Sequence, residues 1–381
     1  MRFEKYKITH YLVLLIFLIN LIISSIVYLF NKNKNKNKNI ILMGHKLIGN
    51  IQEIKKIESY KGKNFYYLAF NYKDYKKLQG EEKNILSIYY PSHILQVIKS
   101  EIIISSHGIL FHNIFKNFFG IKTFFTGHAI KSNNNKEILR EQGLFTEVWL
   151  YSNFEKKIYI EECNYKIANL VTTGYPRLDG LNEMIKIKNE IKSSININSD
   201  IILYAPTDDR KNKNYIQNNL SPHNLDLYKF FENVATKLNL KFLIKLHINT
   251  QLSVDIKEYI TSSKNLIFYD EINNYPDITP LAISDMLITD WSSVFVDYLI
   301  SKKSILFLDT PMAYDISGVS KVFNNDSIER IQSFREVEEK IIEEVNNGFK
   351  LQEKLKHLSE EIFEGIFMDN NLERCLERLN I

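Results

Sequence analysis

The stretch LITDWSSVFVDYL, Leu287 to Leu299, decides how the chain is to be read. An apolar run stops at Thr289-Asp290, passes through Trp291-Ser292-Ser293, and resumes as apolar residues at helical spacing. This predicts a buried strand, a polar turn and a helix start, the unit from which parallel α/β sheets are built. Serine at a helix start caps unpaired backbone amides, and those amides with the helix dipole also favour a bound anion. Capping accounts for one serine. Two serines after Thr-Asp predict a phosphate site with polar neighbours. Asp297, further along, faces either a cleft or the core.

The same alternation of short apolar runs and amphipathic segments extends outward from this stretch. IILM at Ile40, FYYLAF at Phe65, ILSIY at Ile85, IIIS at Ile102, KTFFT at Lys122, TEVWL at Thr146 and NLVTT at Asn169 predict strands of a first half. After a Lys/Asn/Ser-rich helix and bend over 181–200, IILYAP, KFLIKLH, NLIFYD, DMLITD and SILFLD predict those of a second. The join falls near Gly174-Tyr175-Pro176. The expected organisation is an anchor and basic linker over 1–39, a first Rossmann-like domain over 40–178, a second over 179–345 and C-terminal helices over 346–381. The tail from Phe334 reads as helix, with Val337, Ile341, Ile342 and Val345 on one face. Further helices are expected from near Leu351 and in NLERCLERL.

With 381 residues, 45% of them hydrophobic, the chain can fill two α/β cores. A formal charge of +4 is small for this length and argues against a nucleic-acid partner. Two cysteines, Cys163 and Cys375, build neither a disulfide framework nor a Cys-based zinc site. Tyr11 to Phe30 carries no charge, and twenty helical residues span roughly 30 Å, the thickness of a bilayer core. It reads as an uncleaved single-pass anchor in the cell membrane. The alternating NKNKNKNKN that follows is a solvated linker, and its lysines tilt the body toward the cytoplasm.

Ligands of parallel α/β sheets bind at the carboxyl ends of strands. Five such ends carry conspicuous polar residues: Thr126-Gly127-His128, Gly174-Tyr175-Pro176-Arg177, Ala205 to Arg210, Lys245-Leu246-His247 and Thr289 to Ser293. A histidine such as His128 can take a proton from an attacking hydroxyl, and Lys131 can hold an anionic group. His247 either bonds neighbouring backbone or donates to phosphate oxygens. His107 and His112 lie five apart with no third ligand in view, so no metal site is predicted. No GxGxxG, P-loop or G-x-S-x-G element is present.

Together these pieces resemble the CDP-glycerol glycerophosphotransferase family, the teichoic-acid primases and polymerases. TGHAIK is similar to the family's aromatic-His-Gly segment followed by Lys, TTGYPRLD to its G-x-P-R-x-D element, YAPTDDR to Y-A-P-T-W-R, and KLHINT to the K/R-x-H-P strand end. DITPLAISDMLITDWSSVFVDYLI resembles the S-D-x-L-I-T-D-Y-S-S segment, and DNNLERCLERL the closing helix. The resemblance covers roughly Ile102 to Leu379. Departures are Gly127 for an aromatic, Ala129 for Gly, Asp208-Asp209 within T-W-R, Ile248 for Pro and Trp291 for Tyr.

The resemblance implies a GT-B-like pair of Rossmann-type domains facing a cleft, with acceptor groups on the first and donor groups on the second. It implies His128 as base on the acceptor hydroxyl and His247 on the donor's phosphates. Arg210, Thr289, Asp290, Ser292 and Ser293 fall on donor-binding elements, with Arg177, Thr207 and Lys131 as further candidates. The implied reaction moves an alditol phosphate from a CDP-alditol donor, CDP-glycerol first among them, to a lipid-linked saccharide or polymer at the membrane. No cofactor is called for, and divalent-metal dependence stays open. The alternatives are a GT-B glycosyltransferase or nucleotide-sugar epimerase, and a non-catalytic membrane-tethered binding protein.

Overall fold

The computed structural model describes residues 8–31, 37–131, 135–209, 211–247, 249–269, 276–312, 320–366 and 369–380. Its first sheet contains β1 (Asn39–Met43), β2 (Ser59–Tyr60), β3 (Lys63–Ala69), β4 (Ile85–Ser87), β5 (Ile102–Ser105), β6 (Lys122–Phe125), β7 (Glu147–Leu150) and β8 (Leu170–Thr172). The order is β2-β3-β1-β5-β6-β7-β8, with β4 also beside β3. All of these pairings are parallel except β2 on β3. The second sheet contains β9 (Ile201–Tyr204), β10 (Lys241–Ile244), β11 (Leu266–Phe268), β12 (Met286–Thr289), β13 (Ser304–Leu308) and β14 (Arg330–Ile331). It runs β11-β10-β9-β12-β13-β14, parallel throughout.

The predicted strands form, and the structure adds β2 and β14, each two residues long. A pair of residues shows no period, so such strands leave no mark in a sequence. KFLIKLH departs from expectation: β10 stops at Ile244, and His247 lies on the loop beyond it. Lys245 N–H still bonds Tyr204 O, but the next bond, Thr250 N–H to His247 O, is a turn.

Central parallel strands are covered on both faces, which explains their unbroken apolar runs. Alternate residues of β1 and β5 divide accordingly. Ile40 and Ile102 pack with Trp149, Cys375 and Leu376, whereas Ile41 and Ile103 pack with Phe17 and Leu21. The first sheet thus lies between the N-terminal helix Ile8–Phe30 and the C-terminal helix Asn371–Glu377. A third cluster joins the two halves, containing Val148 and Leu150 of the first sheet with Leu203 and Leu287 of the second. Between the sheets run the helices Pro176–Lys186 and Lys188–Ser194, and residue 178 falls inside the first of them. The tail forms helices Phe334–Asn346 and Glu353–Ile362 before the last one returns to the first sheet.

That return is fixed by a chain of polar contacts. The Asp179 carboxylate accepts from Asn371 N–H (3.2 Å), Asn371 Nδ2 (2.6 Å) and Leu372 N–H (2.7 Å). An acid there satisfies amides that the start of a helix leaves unpaired and complements its dipole. Arg374 Nε donates to Thr173 O at 2.8 Å. Gly174 lies between these groups at φ +76°, where an added Cβ would collide with the Asn371 carboxamide. Gly174→Ala combines left-handed strain with that collision and is expected to cost at least ~1–3 kcal/mol, measured by chemical denaturation of the full chain.

Candidate active site

Sheet order gathers the polar strand ends. β1, β5 and β6 are neighbours, and the residues just past their carboxyl ends include His45, His107 and His128. The rings form a column. His107 and His128 are parallel within 7° at a centroid distance of 4.5 Å, and His45 lies 3.8 Å from His107. Ser106 serves both members of the stacked pair: its Oγ is 2.9 Å from His107 Nδ1 and its carbonyl 3.3 Å from His128 Nδ1. A carbonyl only accepts, so this bond puts a proton on His128 Nδ1 and leaves Nε2 as the basic nitrogen.

The His128 residue is exposed, while its ring lies flat against His107. Desolvation of the ring lowers its pKa; the Ser106 bond opposes the shift, and Arg177 and His247 add to it. Burial, then His128 and His45, lower His107 much further and hold it neutral. The loop is held by Asn50, whose Nδ2 donates to Thr126 O (2.9 Å) and Gly127 O (3.2 Å) while its Oδ1 accepts from Arg177 N–H (3.2 Å). Gly127 sits at φ +65°, and a Cβ there would strike the Tyr175 hydroxyl.

Arg177 is 7% exposed and joins the two halves. Its Nη1 donates to His128 O, and its Nη2 to Asp297 Oδ1 at 2.9 Å. Burial works to lower its pKa, but Asp297 outweighs this and raises it. Arg177 is therefore a strut with both terminal nitrogens engaged within the protein, while its Nε is buried without a partner among the described residues, and Asp297 faces that strut. Lys131 also departs from its predicted place beside an anion. It is buried, with Nζ over the Tyr159 ring at 5.4 Å, and burial lowers its pKa. Its backbone N–H donates to the buried Glu155, whose carboxyl burial pushes up to about 7 despite this bond and one from Tyr151 N–H.

In the second half, β10, β9 and β12 are neighbours and bring His247, the 205–209 loop and the 290–293 turn to one edge. His247 is exposed, with Nδ1 3.3 Å from Asn249 N–H and 3.7 Å from Asp208 Oδ1. Accepting the Asn249 bond puts the proton of a neutral ring on Nε2, as a donor. Thr289 and Asp290 turn inward. Thr289 Oγ1 donates to Ala205 O at 2.7 Å. Asp290 accepts from Thr207 N–H (2.8 Å) and the Tyr215 hydroxyl (2.6 Å), while burial raises its pKa. Both side chains, with Thr207, lock the loops together; a buried carboxylate filled by these donors does not also face a ligand.

Ser292 and Ser293 are half-buried. Ser292 Oγ accepts from Val294 N–H at 3.4 Å, whereas Ser293, the N-cap of helix Val294–Tyr298, makes no capping bond. Of the two serines, one thus satisfies an amide of the helix start, as expected, and it is Ser292; Ser293 already has helical backbone angles, φ −67° and ψ −3°. Trp291 Nε1 donates to Thr310 O at 2.7 Å, and Arg330 lies 3.4 Å over its ring. Burial lowers Arg330 to about 10, against the pull of Asp290 and Asp309. Arg210 lies outside the described residues.

Among the described residues, no three His, Cys, Asp or Glu side chains are grouped to hold a metal ion. His45, His107, Asn50, Tyr215 and Arg330 are the members that sequence reading missed. The histidines had a signal, since each follows an apolar run that becomes a neighbouring strand. Arg330 had none, because its strand is only two residues long.

The family model described as CDP-Glycerol:Poly(glycerophosphate) glycerophosphotransferase matches residues 26–320. The teichoic acid poly(glycerol phosphate) polymerase of Bacillus spizizenii is 34% identical over 144 residues, which cover 36% of this chain and 34% of that one. The teichoic acid ribitol-phosphate polymerase TarL of Staphylococcus aureus is 26% identical over 203 residues, 50% of this chain and 32% of its own. The aligned stretches thus span about a third of these relatives. A solved structure of the wall teichoic acid polymerase TagF superposes with a TM-score of 0.70 at 15% identity, covering 98% of both chains, which shows a shared α/β fold.

Replacing Arg177 with Met leaves Asp297 buried without its cation. The expected loss is about 3–5 kcal/mol, read as an earlier denaturant midpoint, with the double variant Arg177→Met, Asp297→Asn less costly than Arg177→Met alone because it removes the stranded charge.

Proposed function

The chain belongs to the CDP-glycerol:poly(glycerophosphate) glycerophosphotransferase family, and on that premise we propose that it transfers an alditol phosphate from a CDP-activated donor to an acceptor hydroxyl, releasing CMP. Glycerol phosphate is the first choice of alditol; the similarity to a ribitol-phosphate polymerase makes CDP-ribitol the second donor to try. The acceptor is a lipid-linked saccharide or growing polymer at the membrane, with the enzyme body on the cytoplasmic side.

The observation that carries this reading is the histidine pair. His128 presents a basic Nε2 past the end of β6, and His247, whose Nε2 is the donor, stands past the end of β10 on the other half. In the proposed step His128 Nε2 takes the acceptor's proton as that oxygen attacks the alditol-bearing phosphorus. The bond from this phosphorus to the bridging oxygen breaks, and CMP leaves with that oxygen. His247 Nε2–H and the hydroxyls of Ser292 and Ser293 offset charge on the diphosphate. Positioning and electrostatic stabilisation of this kind carry most phosphoryl-transfer catalysis. Thr289, Asp290, Thr207 and Arg177 act one layer behind, holding the loops that carry these groups.

The test is CMP release from CDP-glycerol and CDP-ribitol by the full chain in membranes carrying acceptor. Wild-type protein releases CMP with one of them; no release with any CDP-alditol overturns the reading. His128→Ala is expected to lower kcat by about 100-fold or more, the range of general-base catalysis, and an undiminished rate removes His128 as the base. Because its pKa is lowered, the base stays deprotonated to lower pH than a free histidine. The acid limb of kcat/KM is therefore expected below pH 6.5, with no loss on going up to neutral pH.

His107 is assigned a positioning role through its ring stack. His107→Phe keeps an aromatic face against His128 and is expected to hold kcat within a few-fold. His107→Ala removes that face, and kcat is expected to fall about 10-fold with KM unchanged, the signature of a misplaced catalytic group. Equal rates for the two variants remove that role.

A further inference from the structure

Ser152-Asn153-Phe154-Glu155 has the S-x-x-E form of a capping box, in which the acid turns back onto the N–H of its own cap residue. Ser152 Oγ accepts from Glu155 N–H at 3.3 Å and starts the helix Asn153–Lys157. Glu155 itself, 1% exposed, is used differently. Its Oε2 accepts from Tyr151 N–H at 2.6 Å, and its Oε1 accepts from Lys131 N–H at 2.7 Å, on the loop that carries His128. The Tyr175 hydroxyl lies between the carboxyl and the same loop, 3.5 Å from Glu155 Oε2 and 3.2 Å from Ala129 O. A Cβ on Gly127 would strike this hydroxyl, and the Arg177 guanidinium lies 5.1 Å over the Tyr175 ring. Positions 127, 129 and 131, on both sides of His128, thus all meet one Glu155-Tyr175 pair.

A phenol has one proton to give, and the Ala129 carbonyl can only accept. An ionised Glu155 competes with that carbonyl for the Tyr175 proton, and a charged acceptor makes the stronger bond. A protonated Glu155 does not compete: its own O–H can donate to the phenol oxygen while the phenol donates to Ala129 O. From this geometry we infer that Glu155 and Tyr175 are positioning residues for His128, the proton on Glu155 deciding whether the carbonyl beside His128 keeps its hydrogen bond. The inference rests on the proposed role of His128 as the base.

The surroundings decide where that proton resides. Burial holds the Glu155 carboxyl at about 7, against the two amides and the charges of Lys131 and Arg177. Both cations are committed elsewhere, Lys131 Nζ over the Tyr159 ring and Arg177 to His128 O and Asp297. The other groups facing the carboxyl are the phenols of Tyr151, Tyr159 and Tyr175 and the Cys163 thiol, all raised by burial. Among these neighbours, Glu155 is the group that changes charge near neutral pH. A carboxyl whose folded value lies above its free one keeps its proton preferentially in the folded form. The bond to Ala129 O is therefore secured on the acid side and lost as pH rises through neutral. His128, whose own value is lowered, is already deprotonated there and contributes no fall on the alkaline side.

The pH dependence of CMP release by the full chain in acceptor-bearing membranes tests this. Wild-type kcat is expected to fall about 10-fold above neutral pH with KM unchanged, the signature of a misplaced base. Glu155→Gln cannot ionise, and its profile is expected to stay level, within a few-fold of the wild-type rate at neutral pH. Tyr175→Phe removes the donor to Ala129 O at every pH, and its profile is expected to stay level at the low, alkaline rate. The two variants thus lose the fall from opposite ends, which a merely weakened fold would not do. An alkaline fall that persists in either variant or is missing from the wild type overturns the inference, as do level profiles at one common rate. Hydrogen exchange gives a readout without turnover. Relative to the intrinsic rise of exchange with pH, residues 126–131 are expected to open further above neutral pH in the wild type and not in Glu155→Gln. That opening without CMP release at any pH overturns the catalytic reading alone, and its absence overturns the inference.

Discussion

One guanidinium sets the relation between the two halves of this protein. Arg177 stands at the start of the helix that leaves the first sheet, and it holds the His128 carbonyl with one nitrogen and the Asp297 carboxylate with another. Asp297 belongs to the helix that follows β12 and the 290–293 turn. Through this strut the helix after β12 is tied to the backbone of His128. Burying such an ion pair is costly unless geometry and further hydrogen bonds compensate. Here the further hydrogen bond is Nη1 to His128 O, and Asn50 on the Arg177 backbone N–H fixes where the residue stands. Tyr151, whose hydroxyl lies 3.4 Å from Val296 O, adds a second polar link between the halves.

The strand ends divide into groups that present chemistry and groups that hold them in place, and burial decides which is which. His128 and His247 are exposed, and Ser292 and Ser293 are half-buried. Thr289, Asp290 and Thr207 sit directly behind, turned into the protein. LITDWSSVFVDYL thus does two jobs. Its Thr-Asp pair ties β12 to the 205–207 loop and to Tyr215, and its serines stand at the surface that this fixes. Trp291 belongs with the holding groups: its indole N–H is engaged by Thr310 O and its face by Arg330.

The sheet was legible in the sequence because strands buried on both faces must be apolar, and most of these are long enough to show it. The site was legible only in part. Strand ends predict where polar groups collect, but not which way each side chain turns. Asp290 inverts because Tyr215, 75 residues earlier, supplies the hydroxyl that fills it. Lys131 leaves the cleft because Glu155 and Tyr159 lie beneath its loop. Partners at such separations leave no local pattern. The N-terminal helix is a similar case: length and hydropathy read as a span, and the partners of Asn20 and Ser24, Ile88 O and Pro91 O, lie 68 and 67 residues away.

In the proposed reaction a donor diphosphate lies between His247 and His128, with the loops held by Arg177. A crystal structure of the full chain soaked with CDP-glycerol measures this directly. Diphosphate oxygens are expected on His247 Nε2 and the Ser292-Ser293 turn, with the glycerol-bearing phosphorus on the side toward His128 Nε2. A diphosphate bound away from His247, or one whose glycerol-bearing phosphorus faces away from His128, would contradict it.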